Sequence, residues 1–509
     1  MTKRFLPIIT RVLGDKRIST IAASVELPKL YPADEKRSLI FLAAGLPDAP
    51  PADLAIKKMS EVLLSKSSQY SKYDTGKNGS RGEVIDWIKF FAEENFAIKS
   101  DQRDNFIFTP GSSIVIDDFP RSITNRIVSF SPIYPNMQDS ADRSGSKVDI
   151  RAKIEPRENG RWGLNLQEFK KSLDEDIEFS ISNSSSKPLG IYLNFPHNPT
   201  GYSPTKEEYQ ELVNVLLDNL RSRNEHNLSP AVIAEDTAYA IMMHGNRKYY
   251  SLFNAIADLK KDAEKNNNNQ KLELLNQLEA NCAQIHSFSK DLALAAHRAA
   301  YFYSPNPEIL AKVTKNINLS MISPPQLSMA ATCGAMAAGI NKEAMKKYED
   351  RSIHLVNLII SEIGNNFIPA KADAGFFVIA DFKDLKGFRV KADTLNKLHG
   401  YLQKMPTELK EYYQERLQDG VIGGKEGSDE NVAKDVAVLL SIEKGIIVVP
   451  TGQFLRFSVG SANQDKITEG VKRISECISE LRLYNNKPRP STISKEANPI
   501  SVTKAEREK

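Results

Sequence analysis

The 509-residue sequence is short of several things that would narrow its function at once. It has three cysteines, Cys282, Cys333 and Cys477, widely spaced, odd in number and without a CxxC pair. Neither a disulfide framework nor a zinc site follows from that pattern, and a reducing cytoplasmic setting fits it best. Seven histidines occur without ligand spacing, so a metal enzyme is not expected. No apolar run reaches the roughly eighteen residues that would cross a membrane. The start of the chain has Lys3 and Arg4 before a broken apolar run, Phe5 to Ile9, too short for a signal peptide.

A large excess of one charge sign is also missing. The net charge is +4, and the stretch from Tyr484 onward supplies +3 of it, from six Lys/Arg against three Glu. The body is therefore near neutral, and a surface that tracks nucleic-acid phosphates is not expected. What is present is ample apolar material: 41% hydrophobic and 26% charged residues suit a large folded core. The length suggests two or three structural units.

The middle of the chain alternates short β-like runs with helical stretches. Strands are expected at Asn105–Thr109, Arg126–Phe130, Gly190–Phe195, Ala231–Glu235, Cys282–Phe288 and Ala300–Tyr303, with a helix over Thr205–Arg221. Such alternation predicts an α/β fold with a mostly parallel sheet covered on both faces. Ligands of these sheets bind at the carboxyl ends of the strands. Lys260 to Gln270, with four consecutive asparagines, reads as an exposed loop before a short amphipathic helix carrying Leu272, Leu274, Leu275 and Leu278. Asn485 to Lys509 reads as a disordered polar tail.

Five polar clusters follow candidate strands or lie in them. Ser287-Phe288-Ser289-Lys290 is followed eight residues later by Arg298, which suits a Schiff-base lysine with two phosphate ligands. Asn194 to Gly201 reads NFPHNPTG and would carry the Asn198 amide to the sheet edge. Asp236, with Tyr239 three residues on, ends a strand where a carboxylate needs a partner, such as a protonated ring nitrogen. Gly111-Ser112-Ser113 is a small-residue turn before an apolar helix, with backbone N–H groups for a phosphate. Arg456 sits inside the alternating run Phe454 to Gly460, where an inward guanidinium would clamp a carboxylate. Each cluster alone admits a plainer account: a solvated lysine, a turn, a helix cap, a capped helix start, an outward-facing arginine.

Together and in this order they closely resemble the class I/II aminotransferases among the fold-type-I enzymes that use pyridoxal 5'-phosphate (PLP), from about Phe41 to Leu483. The resemblance implies a large PLP-binding domain over about 72–329 with a mostly parallel seven-stranded sheet. It implies a smaller α+β domain from 1–71 and 330–483, leaving 484–509 as the tail. It implies PLP on Lys290, which also moves the substrate proton. Asp236 would pair with the pyridine nitrogen, Asn198 and Tyr239 with the ring oxygen, and Tyr134 with the ring face. Ser287, Arg298 and Gly111 to Ser113 would hold the phosphate. Arg456 would take the α-carboxylate, with Asn198 and the Gly45 loop on the substrate side. Tyr73 and Ser323 resemble residues that reach the phosphate from the partner subunit of a homodimer. The implied reaction exchanges an amino group between an amino acid and a 2-oxo acid. A lyase, decarboxylase or cyclase on the same scaffold is the alternative, and a non-enzymatic interaction protein is a third reading.

The pattern departs from the family in places. Ala296 and Ala300 stand where glycines are usual near the phosphate arginine. Two expansions occur, one around the Asn-rich stretch and one at about Lys391 to Ser441. No arginine lies in Asn318–Pro325, where relatives acting on dicarboxylic amino acids carry one, so neutral or aromatic amino acids are expected over aspartate.

Overall fold

The computed structural model describes residues 24, 26–32, 39–65, 80–99, 103–124, 126–183, 187–321, 323–424 and 428–486. Tyr73, the bounds near residue 72 and the tail beyond 486 lie outside the described residues.

Seven strands form the central sheet: β1 (Phe106–Thr109), β2 (Arg126–Ser129), β3 (Lys147–Asp149), β4 (Gly190–Asn194), β5 (Val232–Asp236), β6 (Cys282–Ser287) and β7 (Ala300–Tyr303). Their spatial order is β1-β7-β6-β5-β4-β2-β3. All neighbours run parallel except at β7, which is antiparallel to β6 and β1. The sheet is thus the mostly parallel, seven-stranded one expected. β1, β4, β5 and β6 are buried at every position, as strands covered on both faces must be. Apolar clusters pack on both sides of them.

Because β7 reverses direction, the carboxyl ends of β1, β4, β5 and β6 and the start of β7 meet at one edge. Register confirms it: Asn194 pairs with Asp236, and Ala300 lies opposite both Ser287 and Thr109. The expected helix is found at Lys206–Glu225, closed by a Thr205/Glu208 capping box.

A second apolar cluster surrounds a three-stranded antiparallel sheet, β8 (Phe377–Ala380), β9 (Val449–Thr451) and β10 (Phe454–Ser458), with β10 in the middle. Arg456 lies in β10 between Ile379 and Val449. The 391–441 expansion is largely helical and covers the chain near Tyr31, whose hydroxyl is 2.7 Å from Ser441 Oγ.

One expectation is corrected. Lys260–Gln270 is not a long loop: helix Leu252–Lys265 runs into it, and helix Asn269–Ala280 starts within it. Asn268 caps the second helix through the Lys271 N–H, so the asparagine run supplies a tight turn and a cap rather than a loop of that length. A Lys260–Glu279 ion pair ties the two helices together.

Candidate active site

Where the strand ends meet, a cavity of about 300 Å³ opens, at the small end of the range for small-molecule sites. Lys290 lines it, on the short helix Phe288–Asp291 that follows β6. Its Nζ donates to the Gly45 carbonyl at 2.5 Å, across the sequence from the opposite wall. Burial lowers the ammonium to about 8, and the nearby charges of Arg456 and Arg298 act in the same direction.

Asp236 closes β5 and is buried. Burial pushes its carboxyl up to about 6, against the opposing effect of a hydrogen bond from Tyr192. That bond, Tyr192 hydroxyl to Asp236 Oδ2, is 2.6 Å long; the Ala238 N–H reaches Oδ1 at 3.3 Å. Sequence reasoning missed Tyr192. The available signal was the two-residue strand period, which puts Tyr192 on the same face as Asn194.

The NFPHNPTG loop is pinned from several sides. Asn194 Oδ1 accepts from the Asn198 N–H at 3.0 Å, and Asn194 Nδ2 donates to the Asp236 carbonyl at 3.3 Å. His197 Nε2 is 2.7 Å from the Pro132 carbonyl and Nδ1 is 2.8 Å from Thr200 Oγ1. The carbonyl can only accept, so Nε2 carries the proton and Nδ1 accepts from the threonine. Burial drives His197 down to about 3, in keeping with that neutral ring. The same bond fixes the Pro132 loop, which leads to Tyr134 on the cavity wall. Burial pushes the Tyr134 phenol up to about 12. Tyr239 also lines the cavity, its ring packed edge-on to Phe376 and Phe377.

At the other end, Ser112, Ser113, Ser287 and Arg298 face the cavity. Gly111 has φ +89°, and a Cβ there would stand 2.1 Å from Arg298 Nη2. The turn and the guanidinium therefore make a close cradle that only glycine permits. Ser287 Oγ accepts from the Ser289 N–H at 3.3 Å.

Arg456 reaches the cavity from β10. Its Nη1 donates to Asn198 Oδ1 at 3.1 Å and its Nη2 to the Ala43 carbonyl at 2.9 Å. The guanidinium lies 4.5 Å from the Phe377 ring centre. Nε is buried with no hydrogen-bond partner among the described residues. Gly45 lies in the loop above, where a Cβ would meet the Phe377 ring at 3.2 Å. Of the residues picked out in the sequence, Gly111 and Ser323 do not line this cavity in their own chain: Gly111 backs the Arg298 guanidinium, and the Ser323 hydroxyl reaches the Pro324 carbonyl at 3.3 Å.

The architecture is that of the fold-type-I PLP-dependent enzymes. The family model for aminotransferase class I and II matches residues 37–474, and the chain belongs to that family, whose members in general depend on PLP. It is 28% identical over 231 residues to an LL-diaminopimelate aminotransferase of Maridesulfovibrio salexigens, covering 44% of this chain and 52% of that protein. The chain thus matches about half the length of that relative. With the LL-diaminopimelate aminotransferase of Methanococcus maripaludis it is 24% identical over 353 residues, 67% of this chain and 70% of the relative. Among solved structures, an archaeal alanine:glyoxylate aminotransferase superposes with a TM-score of 0.64 at 18% identity, covering 91% of this chain and 96% of that one.

The residues present fit PLP. A glycine cradle against an arginine suits a phosphate, a buried carboxylate suits a protonated ring nitrogen, and a lysine with a lowered pKa suits an aldehyde. No helix among the described residues is long and apolar enough to cross a membrane.

Proposed function

We propose that this protein is a PLP-dependent aminotransferase that moves an amino group between an amino acid and a 2-oxo acid. The observation that carries the reading is the convergence of Lys290, Asp236 and Arg456 on one cavity.

PLP, when bound, supplies an electron sink for the charge left when the α-proton departs. Asp236 holds the ring nitrogen in its protonated form; Tyr192 donates to Oδ2 and favours the carboxylate needed for that pairing. Gly111, Ser112, Ser113, Ser287 and Arg298 would hold the phosphate. Tyr134 would lie against the ring face, and Asn198 and Tyr239 would bond the ring oxygen. Lys290 would hold the cofactor aldehyde and would be the base that moves the Cα proton. In the empty site, burial and the charges of Arg456 and Arg298 lower this amine to about 8, which favours the neutral form a base needs. Arg456 orients the α-carboxylate, since each Nη keeps a second N–H beyond the one given to Asn198 or to the Ala43 carbonyl.

The side chain of the amino acid would meet Leu46, Phe377 and the Gly45 loop. These are apolar surfaces, so a neutral or aromatic donor is favoured over aspartate. The protein would work in the cytoplasm as a homodimer, with Tyr73 and Ser323 of each subunit serving the other's phosphate site. Large exposed apolar side chains, Leu64, Phe90 and Leu319, are available to such an interface. The larger domain would span 72–329 and the smaller 1–71 and 330–483, with the helix Gln326–Ala338 passing between them.

The test is a panel of amino donors and 2-oxo acids given to the purified protein while its visible absorption is followed, with borohydride trapping and peptide mapping. Pyridoxyl label on Lys290 and paired formation of a new amino acid and a new 2-oxo acid are expected. Label on another lysine, or loss of CO₂ or of a β-substituent without amino transfer, would replace the reading. A preference for aspartate over all neutral donors would remove the substrate assignment alone.

A further inference from the structure

Behind the strand ends lies a polar pair that the proposed reaction does not touch. His286, in β6, and Asp291, next to Lys290, are both fully buried, with His286 Nε2 2.9 Å from Asp291 Oδ2. Asp291 Oδ1 accepts from the Leu292 N–H at 2.9 Å, so both carboxylate oxygens face donors. On the other side of the ring, His286 Nδ1 lies 3.1 Å from the Thr237 carbonyl oxygen and 3.0 Å from Thr237 Oγ1. The Thr237 hydroxyl also lies 3.3 Å from the Ile285 carbonyl, which accepts the Thr237 N–H at 2.9 Å. A carbonyl oxygen has no proton to give. With Nε2–H given to Asp291 and Nδ1–H to the Thr237 carbonyl, a ring carrying both protons meets all of these contacts; a neutral ring that accepts the Thr237 hydroxyl is the competing arrangement, and it has a single ring N–H.

The surroundings agree with a paired charge. Rings of Phe91, Phe96, Phe288 and Tyr301 enclose the imidazole at centroid distances of 5.1 to 5.5 Å. An imidazolium in that apolar box is tolerable only with a counter-ion in contact, which Asp291 supplies. The pair also sits between the neighbours of two site residues: Thr237 adjoins Asp236 and Asp291 adjoins Lys290. A positive charge on His286 acts to lower the Asp236 carboxyl, opposing the larger upward effect of burial.

We propose that His286 and Asp291 form a buried imidazolium–carboxylate brace that positions Asp236 and Lys290 relative to each other and sets a positive charge behind the Asp236 carboxylate. Its effect on the cofactor rests on the function proposed above; the existence of the charged pair does not. Both are positioning residues, since neither lines the cavity.

The first experiment is NMR of cofactor-free protein carrying ¹⁵N-labelled histidine, with the His286 signals assigned by their loss in His286→Gln. Two ring N–H protons on His286 are expected. Asp291→Asn should remove one of them, whereas Asp291→Glu, which keeps the charge, should retain both. In the PLP-loaded protein, Asp291→Asn should bind PLP about tenfold more weakly and shift the pH midpoint of the visible band by about one unit. A purely structural role would lower thermal stability without moving that midpoint. A single ring N–H in the unmodified protein overturns the proposal, as does an Asp291→Asn protein with unchanged midpoint and PLP affinity. Should that variant not fold, the NMR result on the unmodified protein decides. Failure to trap PLP on Lys290 would instead sink the function reading while leaving the charged pair to the apo-protein spectrum.

Discussion

Replacing Arg456 by lysine separates substrate binding from cofactor binding. The arginine is buried, and its two terminal nitrogens hold Asn198 and the Ala43 carbonyl through one N–H each, which leaves a second N–H on each for an incoming carboxylate. A lysine keeps the positive charge but has one nitrogen on a flexible stem. It cannot hold Asn198, Ala43 and a carboxylate in the same plane, and it also gives up the flat contact with Phe377. Loss of a desolvated, charge-assisted carboxylate contact costs on the order of 2–5 kcal/mol, or roughly a thirtyfold to several-thousandfold fall in kcat/KM. PLP should remain bound, because the residues proposed to hold its phosphate and ring nitrogen lie elsewhere in the cavity. The assay is the single-turnover half-reaction with the best amino donor, beside a fluorescence titration of PLP affinity. Unchanged half-reaction kinetics in Arg456→Lys would remove Arg456 from the substrate site. An equal loss of PLP affinity would mean that it serves the cofactor instead.

Three further outcomes follow from the same geometry. In cofactor-free protein, the rate of amine-directed labelling at Lys290 should rise with a pH midpoint of about 8, because burial disfavours the ammonium; a midpoint near the ordinary 10.5 would contradict the buried position. Asp236 has a folded-state carboxyl pKa of about 6, above its ordinary 3.8, so ionisation costs the apo-protein stability as pH rises through roughly 4 to 6, by about 3 kcal/mol once complete. Apo Asp236→Asn should therefore match the unmodified protein in urea denaturation near pH 4 and exceed it above pH 7, while binding PLP poorly; a variant less stable above pH 7 would refute the sign. Gly111→Ala places a methyl 2.1 Å from Arg298 Nη2 at a φ of +89°, and should weaken PLP binding about tenfold or more in a fluorescence titration, with normal affinity counting against the phosphate cradle.

The scaffold was legible because each strand that shapes the site is both apolar and sharply bounded. Ala300–Tyr303 is found at its expected limits, and Cys282–Ser287 and Gly190–Asn194 end one residue early, where the chain turns into the polar clusters. The edge strand Lys147–Asp149 was not expected. It is short and carries polar ends, so it offers neither an apolar run nor a clear alternation. The Lys260–Gln270 stretch failed for the opposite reason: its polar composition suggested a loop, while its three lysines, Ala263 and Glu264 are good helix formers and the asparagines are needed only around the turn.

The cavity residues fell out of the sequence because they sit in runs that are odd for ordinary strands and loops: an aspartate ending a buried strand, a lysine after a strand, an arginine within one. Tyr192, His286 and Asp291 carry no such mark. A tyrosine in a strand is commonplace, and His286 and Asp291 are five residues apart, a spacing that matters only because the short helix bearing Lys290 follows β6 directly and brings Asp291 against the imidazole. Their importance arises from what the sheet brings beside them. β4 sets Tyr192 within reach of Asp236 on β5, and β5 sets Thr237 against the imidazole on β6. The most exposed chemistry of the site is thus written in local sequence, whereas the groups behind it, which act through Asp236 and Lys290, become visible only once three neighbouring strands are in register.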